Sequence, residues 1–222
     1  MEQNLVKVKS VEKATHDVLR IVTERPKQYA FSPGQATEVA INKEGWQKEL
    51  RPFTFTCLPD DPYLEFTIKT YPSHKGVTNE LLNLKPNDEL VVGESWGTIG
   101  YKGEGLFIAG GAGITPFISI LRHLKSKNEL GGNKLIFANK AKADIINEDE
   151  FKRMLGKNFI NVLSDERAEG YGHGYVTQGL LQPHLEKGGM VYVCGPGPMM
   201  EAVEKQLMEL GVDGKAIVKE EF

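Results

Sequence analysis

Cysteine is almost absent: this chain of 222 residues has two, Cys57 and Cys194, far apart and without metal-ligand spacing. That spacing speaks against a disulfide framework and against a cysteine-held iron–sulfur cluster. Charge of one sign is scarce as well. A net charge of −3 gives no ground for expecting nucleic acid or an anionic membrane surface as a partner. No apolar run approaches the roughly 20 residues that cross a bilayer. The opening MEQNLVKVKS is charged and lacks an apolar core segment, so no secretory leader is expected and the cytoplasm is the expected compartment. Internal repeats and low-complexity tracts are also missing. What is present, 40% hydrophobic and 26% charged residues, is the composition of a globular protein long enough for one large or two ordinary domains.

The most informative stretch runs from Leu106 to Leu124, LFIAGGAGITPFISILRHL. Leu106 to Ala109 is a continuous apolar run, suited to a strand buried on both faces of a parallel sheet. Gly110, Gly111 and Gly113 follow, and Thr115-Pro116 opens a helical pattern through Phe117, Ile120, Leu121 and Leu124. Pro116 fits a first helical turn, where its missing N–H has no partner to lose. Strand, glycine turn and helix start together offer close backbone approach and unpaired N–H groups, which suit a pyrophosphate. The spacing is not the full G-x-G-x-x-G, and a purely steric turn remains the alternative.

The first hundred residues read as β-rich. Strands are expected at Leu5–Val11, Val18–Val22, Gln35–Ile41, Arg51–Thr56, Tyr63–Tyr71 and Glu89–Gly93, with turn residues between them and one short helix at Gly76–Leu84. Six such strands predict a small antiparallel β-barrel. After residues 103–105 the pattern changes. Strand segments Leu106–Ala109, Lys134–Ala138, Phe159–Leu163, Val191–Cys194 and Ala216–Lys219 alternate with helices at Thr115–Lys125, Asn147–Leu155, Thr177–His184 and Pro198–Leu210. That alternation predicts a doubly wound parallel α/β sheet. The expected domains are therefore 1–103 and 104–222.

Ligands of a doubly wound sheet bind beyond the C-terminal ends of its strands. Three clusters fall there: Gly110 to Pro116, Ser164 to Arg167, and Cys194-Gly195-Pro196-Gly197-Pro198. Cys194 alone reads equally as a small buried residue ending a strand.

Taken in order, Arg51-Pro52-Phe53-Thr54, Gly76-Val77-Thr78, Gly110 to Pro116 and Cys194-Gly195-Pro196 resemble the ferredoxin–NADP reductase family of flavoproteins across essentially the whole chain. The resemblance implies a flavin-binding barrel, a nicotinamide-nucleotide domain, and hydride transfer between NAD(P)H and flavin N5 followed by electron transfer to a partner. It implies Arg51 on a flavin phosphate, Pro52 in the cofactor site, Phe53 against the isoalloxazine face, and Thr54 near N5. It also implies Ile68, Lys69 and Tyr71 beside the flavin, with Gly76, Val77 and Thr78 at its phosphates. Tyrosine is commoner in the family at the Phe53 position. Gly111, Gly113, Thr115 and Pro116 would meet the NAD(P)H pyrophosphate and nicotinamide. Cys194, Gly195 and Pro196 would lie beside nicotinamide C4, and Phe222 would cover the flavin face that the nicotinamide must reach. Neighbouring Glu220 would assist proton delivery or be solvated, the second being the expectation.

FAD is expected, with FMN the alternative; Tyr71 or Trp96 could stack an adenine. Ser164 and Arg167 suit the 2′-phosphate of NADPH, whereas Asp165 and Glu166 suit the free hydroxyl of NADH, and Asp165 directly after the serine favours NADH. Lys140 is a further contact to the adenosine end. The expected acceptor is a small soluble carrier, ferredoxin or flavodoxin, which Lys69 and Lys75 could meet. A partner redox subunit, or diffusible flavin used as substrate, are the other readings.

Overall fold

Residues 3–97 and 99–220 are described by the computed structural model, and they carry two sheets of six strands each. The first contains β1 (Asn4–Lys13), β2 (Val18–Glu24), β3 (Ala36–Ile41), β4 (Arg51–Thr54), β5 (Tyr63–Lys69) and β6 (Glu89–Trp96). Their order is β4-β3-β6-β1-β2-β5, and every pairing is antiparallel. β4 and β5 stand at opposite edges, and the chain just past β4 closes the gap. Phe55 bridges Phe66 in antiparallel sense, and the Thr56 N–H donates to the Glu65 carbonyl at 2.8 Å. The result is the expected barrel, with no free edge along that line.

The barrel closes because alternate residues have somewhere apolar to go. Val6, Val8, Ile21, Val39, Leu64, Leu90 and Val92 are buried together with Phe31, Phe55 and Phe66. The Phe55 ring lies 4.3 Å from that of Phe31 and 5.4 Å from that of Phe66. The helix expected at 76–84 is one turn, α1 (Val77–Glu80), followed by a 3-10 turn at Leu81–Asn83. Pro86 disfavours helical backbone at Lys85, the residue before it, so the helix ends short of that point. Leu84 is already extended at φ −62°, ψ 143°.

The second sheet contains β7 (Gly105–Gly110), β8 (Lys134–Asn139), β9 (Phe159–Leu163), β10 (Gly172–His173), β11 (Met190–Cys194) and β12 (Ile217–Lys219). Its order is β10-β9-β8-β7-β11-β12, all parallel. Helices α2 (Thr115–Ser126), α3 (Glu148–Leu155), α4 (Gln178–Leu181) and α5 (Gly197–Glu209) complete it. Phe107 and Ala109 share one core with α2 and α3 residues. Leu106 and Ile108 share another with Leu181, Val203 and Leu207 of α4 and α5. The apolar run of β7 is thus covered on both faces.

Two details differ from the sequence expectation. β10 is a strand of two residues, too short to leave a periodic signal. The helix expected at 177–184 is split into α4 and a 3-10 turn at Gln182–His184. Pro183 is the cause: it has no N–H to continue the ladder and clashes with the carbonyl four residues back. Between the sheets the chain is pinned at Tyr192, whose hydroxyl accepts from the Lys102 N–H at 2.9 Å and donates to the Gly103 carbonyl at 2.6 Å. Among the described residues, no helix is long and apolar enough to cross a membrane.

Candidate functional site

On the barrel, β4 pairs with β3 in the register Val39↔Arg51, Thr37↔Phe53 and Ala36↔Thr54. Pro52 is tolerated there because β4 stands at the end of the hydrogen-bonded order. The Arg51 side chain is 48% exposed. Its recorded contacts are local, the Leu50 carbonyl at 2.6 Å and Glu49 Oε2 at 3.4 Å, so a five-donor guanidinium keeps capacity for an incoming anion. Phe53 and Thr54 are half-buried. The antiparallel Phe55↔Phe66 bridge sends them toward the Ile68–Lys69 end of β5.

At that end the residues part ways. Ile68 is 3% exposed within the barrel core, so its side chain faces the fill of the barrel. Lys69 Nζ lies 2.8 Å from Asp17 Oδ2. Burial works to raise the Asp17 carboxyl, but Lys69 and Thr15 hold it below its ordinary value. Tyr71 is exposed and stacks on His74, with ring centroids 5.4 Å apart. Gly76 precedes α1 with open space where a Cβ would stand, and the first N–H groups of a helix have no intrahelical acceptor. Val77 is buried beneath, and Thr78 is half-buried.

The strand order of the second sheet reverses between β7 and β11, and both glycine turns leave from there. Ala109 pairs with Cys194. A Cβ at Gly113 would stand 2.4 Å from the Cys194 carbonyl oxygen, and one at Gly110 would stand 2.3 Å from Met199 Sδ. Gly113 is therefore required by the backbone contact between the turns, whereas at Gly110 the Met199 side chain could move aside. Gly111 is different: it has φ +51° and nothing within 4 Å of its would-be Cβ, so its face is open to a ligand. Gly195 packs back on Gly110, and Pro196 leads into α5. The turn Gly111–Ile114 is 3-10. The Thr115 hydroxyl donates to the Ala112 carbonyl at 3.1 Å, and Pro116 occupies the first turn of α2.

Cys194 is 5% exposed, and its Sγ lies 3.8 Å from Glu220 Oε2. Burial, with the Glu220 carboxylate beside it, pushes the Cys194 thiol well up, which keeps it protonated at neutral pH. Burial also raises Glu220. Glu220 is half-buried and shares this contact, which departs from the solvated side chain expected. Phe222 lies outside the described residues.

Beyond β9, the Ser164 hydroxyl donates to Asp165 Oδ1 at 2.6 Å. The Asp165 N–H donates to the Lys140 carbonyl at 2.9 Å, and Glu166 Oε2 accepts from the Lys142 N–H at 2.8 Å. Arg167 is exposed. Three features escaped the sequence reading. Tyr175, 80% exposed, follows β10, whose His173 Nδ1 lies 3.0 Å from the Glu166 carbonyl. Asn139, 9% exposed at the ligand end of β8, has both side-chain polar atoms unpartnered. Glu65, 1% exposed, is held by Arg20 and Arg122. A lone exposed tyrosine in a Gly-rich loop was the one signal in sequence; the other two depend on distant strands and helices.

An underused guanidinium at Arg51 and open backbone at Gly76 and Gly111 fit phosphate-bearing ligands on both halves. Comparison with known proteins agrees. A family model described as "FAD-binding domain" matches residues 3–95, and one described as "Oxidoreductase NAD-binding domain" matches residues 107–205. The NADH-cytochrome b5 reductase 2 of Mycosarcoma maydis is 27% identical over 94% of this chain and 66% of its own length. The ferredoxin–NAD(P)(+) reductase component of the naphthalene 1,2-dioxygenase/salicylate 5-hydroxylase systems of Ralstonia sp is 30% identical over 92% and 64%. The NADH-cytochrome b5 reductase 1 of Aspergillus terreus is 31% identical over 94% and 78%. The chain thus spans just under two thirds of the first two relatives. The CS-b5R domains of human Ncb5or, solved in an NAD+ form, superpose with a TM-score of 0.85 at 27% identity, covering 98% of this chain and 69% of that one. With an FAD-binding domain on its barrel half and an NAD-binding domain on its parallel sheet, the chain belongs to the ferredoxin–NADP reductase family of flavoproteins.

Proposed function

We propose that this chain is an NAD(P)H-dependent flavoprotein reductase, taking a hydride from NADH and passing the two electrons singly to a small protein carrier. The nicotinamide leaves as NAD+. Bound FAD supplies a ring that accepts a hydride and releases electrons one at a time. The protein's share is to bind, align and exclude water.

In this reading the barrel unit is 1–103 and the nucleotide unit 104–222. Arg51 pairs with a flavin phosphate, and the N–H groups at Gly76, Val77 and Thr78 meet the same group. Pro52 and Phe53 line the flavin ring, and Thr54 offers it a hydroxyl. Ile68, Lys69 and Tyr71 contribute backbone and the exposed Tyr71 ring. Gly111 lets the dinucleotide pyrophosphate approach the start of α2. Gly113, Pro116, Gly195 and Pro196 hold the two turns together, and Thr115 ties its own hydroxyl to the first of them. Cys194, kept as a neutral thiol, packs against the reacting edge of the nicotinamide, with Glu220 as the nearest proton holder. Ser164, Asp165 and Arg167 face the adenosine ribose, and Tyr175 offers a flat face to the adenine. Asp165 engages the Ser164 hydroxyl and adds negative charge there, which favours a free 2′-hydroxyl over a 2′-phosphate and so NADH over NADPH.

The observation that carries this reading is the meeting of the two glycine turns at the switch point of the sheet, Gly113 against Cys194, with Gly111 left open. The test is reconstitution with FAD, gel filtration, and steady-state comparison of NADH with NADPH using ferredoxin, flavodoxin and cytochrome b5 as acceptors. Retained FAD, a higher kcat/KM for NADH and turnover with at least one carrier are expected. Loss of flavin on the column, with free flavin reduced instead, would replace this reading by that of a diffusible-flavin reductase.

A further inference from the structure

We infer that Arg122, with Ser119 beside it, is a positioning residue for hydride transfer, locking the helix that leaves the nucleotide turn onto the strand end that leaves the flavin site. The inference rests on the function proposed above. Ser119 and Arg122 are three residues apart on α2 and so share a face. The Ser119 hydroxyl donates to the Cys57 carbonyl at 3.1 Å. Arg122 Nη1 donates to the Thr56 carbonyl at 2.6 Å and to Glu65 Oε1 at 2.7 Å. Its other side, Nε and Nη2, is held by the two oxygens of Glu150 on α3 at 2.6 and 2.8 Å. Two consecutive barrel carbonyls are therefore gripped by one helix face.

The far side of the grip is equally fixed. The Glu65 side chain is 2% exposed. Its Oε2 accepts from Arg20 Nε at 2.8 Å, and its Oε1 accepts from the Thr56 hydroxyl at 2.9 Å. Burial works to raise the Glu65 carboxyl, yet the two guanidiniums hold it below its ordinary value, so it stays charged as long as the grip is intact. β2, β5, the tail of β4 and α2 all meet at this one carboxylate, and α3 joins them through Glu150 on Arg122. By contrast Lys127 and Asp60, another pair across the seam, are 3.9 Å apart with side chains 49% and 86% exposed, where solvent leaves little net interaction.

The grip sits close to the proposed nucleotide turn and to the proposed flavin strand. Thr115 precedes Ser119 by four residues, about 6 Å along a helix. Thr54 precedes Cys57 by three residues, at most about 10 Å of extended chain. A shift at this seam therefore passes almost undiminished to the separation of the two rings. A misplacement of about 1 Å costs roughly 100-fold in rate.

The test is anaerobic stopped-flow reduction of the FAD-reconstituted full chain by NADH, comparing wild type with Arg122→Gln, Arg122→Lys and Ser119→Ala. For Arg122→Gln we expect retained FAD, an apparent NADH dissociation constant within about threefold of wild type, and a limiting bleaching rate reduced by about 100-fold. The long-wavelength absorbance of stacked nicotinamide and flavin rings should weaken in parallel. Arg122→Lys should recover only part of the rate, since a lysine cannot hold both sides at once. A purely structural role would lower thermal stability and leave the limiting rate and the absorbance unchanged, and that result overturns the inference. If Arg122→Gln does not fold, Glu150→Ala frees one side of the arginine while leaving the barrel bonds, and an unchanged limiting rate there overturns it equally. A wild-type protein that keeps no flavin, or is bleached by neither dinucleotide, refutes the proposed function itself before any variant is compared.

Discussion

Arg51 at the barrel rim and Arg122 at the seam carry the same group in opposite circumstances. Arg51 is half exposed, and among the described residues its guanidinium bonds to Leu50 and Glu49, its near neighbours in the chain. Arg122 has a side chain 22% exposed and is satisfied on both sides, by Glu65 and a barrel carbonyl on one and by Glu150 on the other. A cation with donors to spare is available to a ligand; a saturated one is available only to the fold. The two glycine turns repeat the lesson at smaller scale. Gly113 is a glycine because the Cys194 carbonyl occupies the space, and Gly111 is a glycine with that space empty.

The comparison can be broken most forcefully at the seam. Glu65→Ala leaves Arg20 and Arg122 without the carboxylate they share, and removing one partner of a buried pair costs about 3–5 kcal/mol. Urea denaturation should show that loss; a change within about 0.5 kcal/mol, the usual range for a surface substitution, would mean that the seam is not where stability resides. At the rim, Arg51→Ala should leave the unfolding midpoint nearly unchanged. FAD should bind more weakly by about 1.5–3 kcal/mol, the worth of a hydrogen bond to a charged group. Equilibrium dialysis reads this directly, and undiminished FAD retention would remove Arg51 from the site.

Among the turns, Gly113→Ala drives a methyl into backbone and should destabilise by about 1–3 kcal/mol. Gly111→Ala meets only the left-handed backbone penalty of about 1–2 kcal/mol. It should therefore fold and instead weaken NADH binding, measured by titration. Equal losses of stability with equal affinities would erase the distinction drawn here. The smallest effect is that of acid. The Glu65 carboxyl is lowered on folding, so its contribution is complete above the ordinary glutamate value of about 4.3 and is lost as pH falls through the lowered folded value. Stability should therefore decline more steeply with falling pH in wild type than in Glu65→Gln, by urea midpoints taken from neutral pH downward.

Much of the architecture was legible because it is local. Alternation marked the strands of the barrel, and Leu106 to Ala109 followed by glycines marked the central strand and its turn. Arg51 through Thr54 and Cys194 through Pro196 stood out by order in the chain. What stayed hidden depends on distant pairing. Glu65 and Arg122 are 57 residues apart and look like ordinary surface charges, because nothing near either announces burial. Lys69, expected to meet a ligand or carrier, is also paired with Asp17, the residue just ahead of β2. Pro183 is visible in the sequence, and it is what cuts α4 short. Gly113 is expected from sequence to meet the nucleotide, and sequence does not reveal that a neighbouring carbonyl fills the place of its side chain.

The account depends on a flavin and a nicotinamide being held against each other where the two halves meet. The direct measurement is anaerobic mixing of the FAD-reconstituted, gel-filtered chain with NADH while following the flavin colour. Rapid bleaching that saturates with NADH concentration, on a protein that kept its FAD through the column, is the predicted result. A chain that takes up no FAD, or keeps it yellow in the presence of both NADH and NADPH, would contradict it.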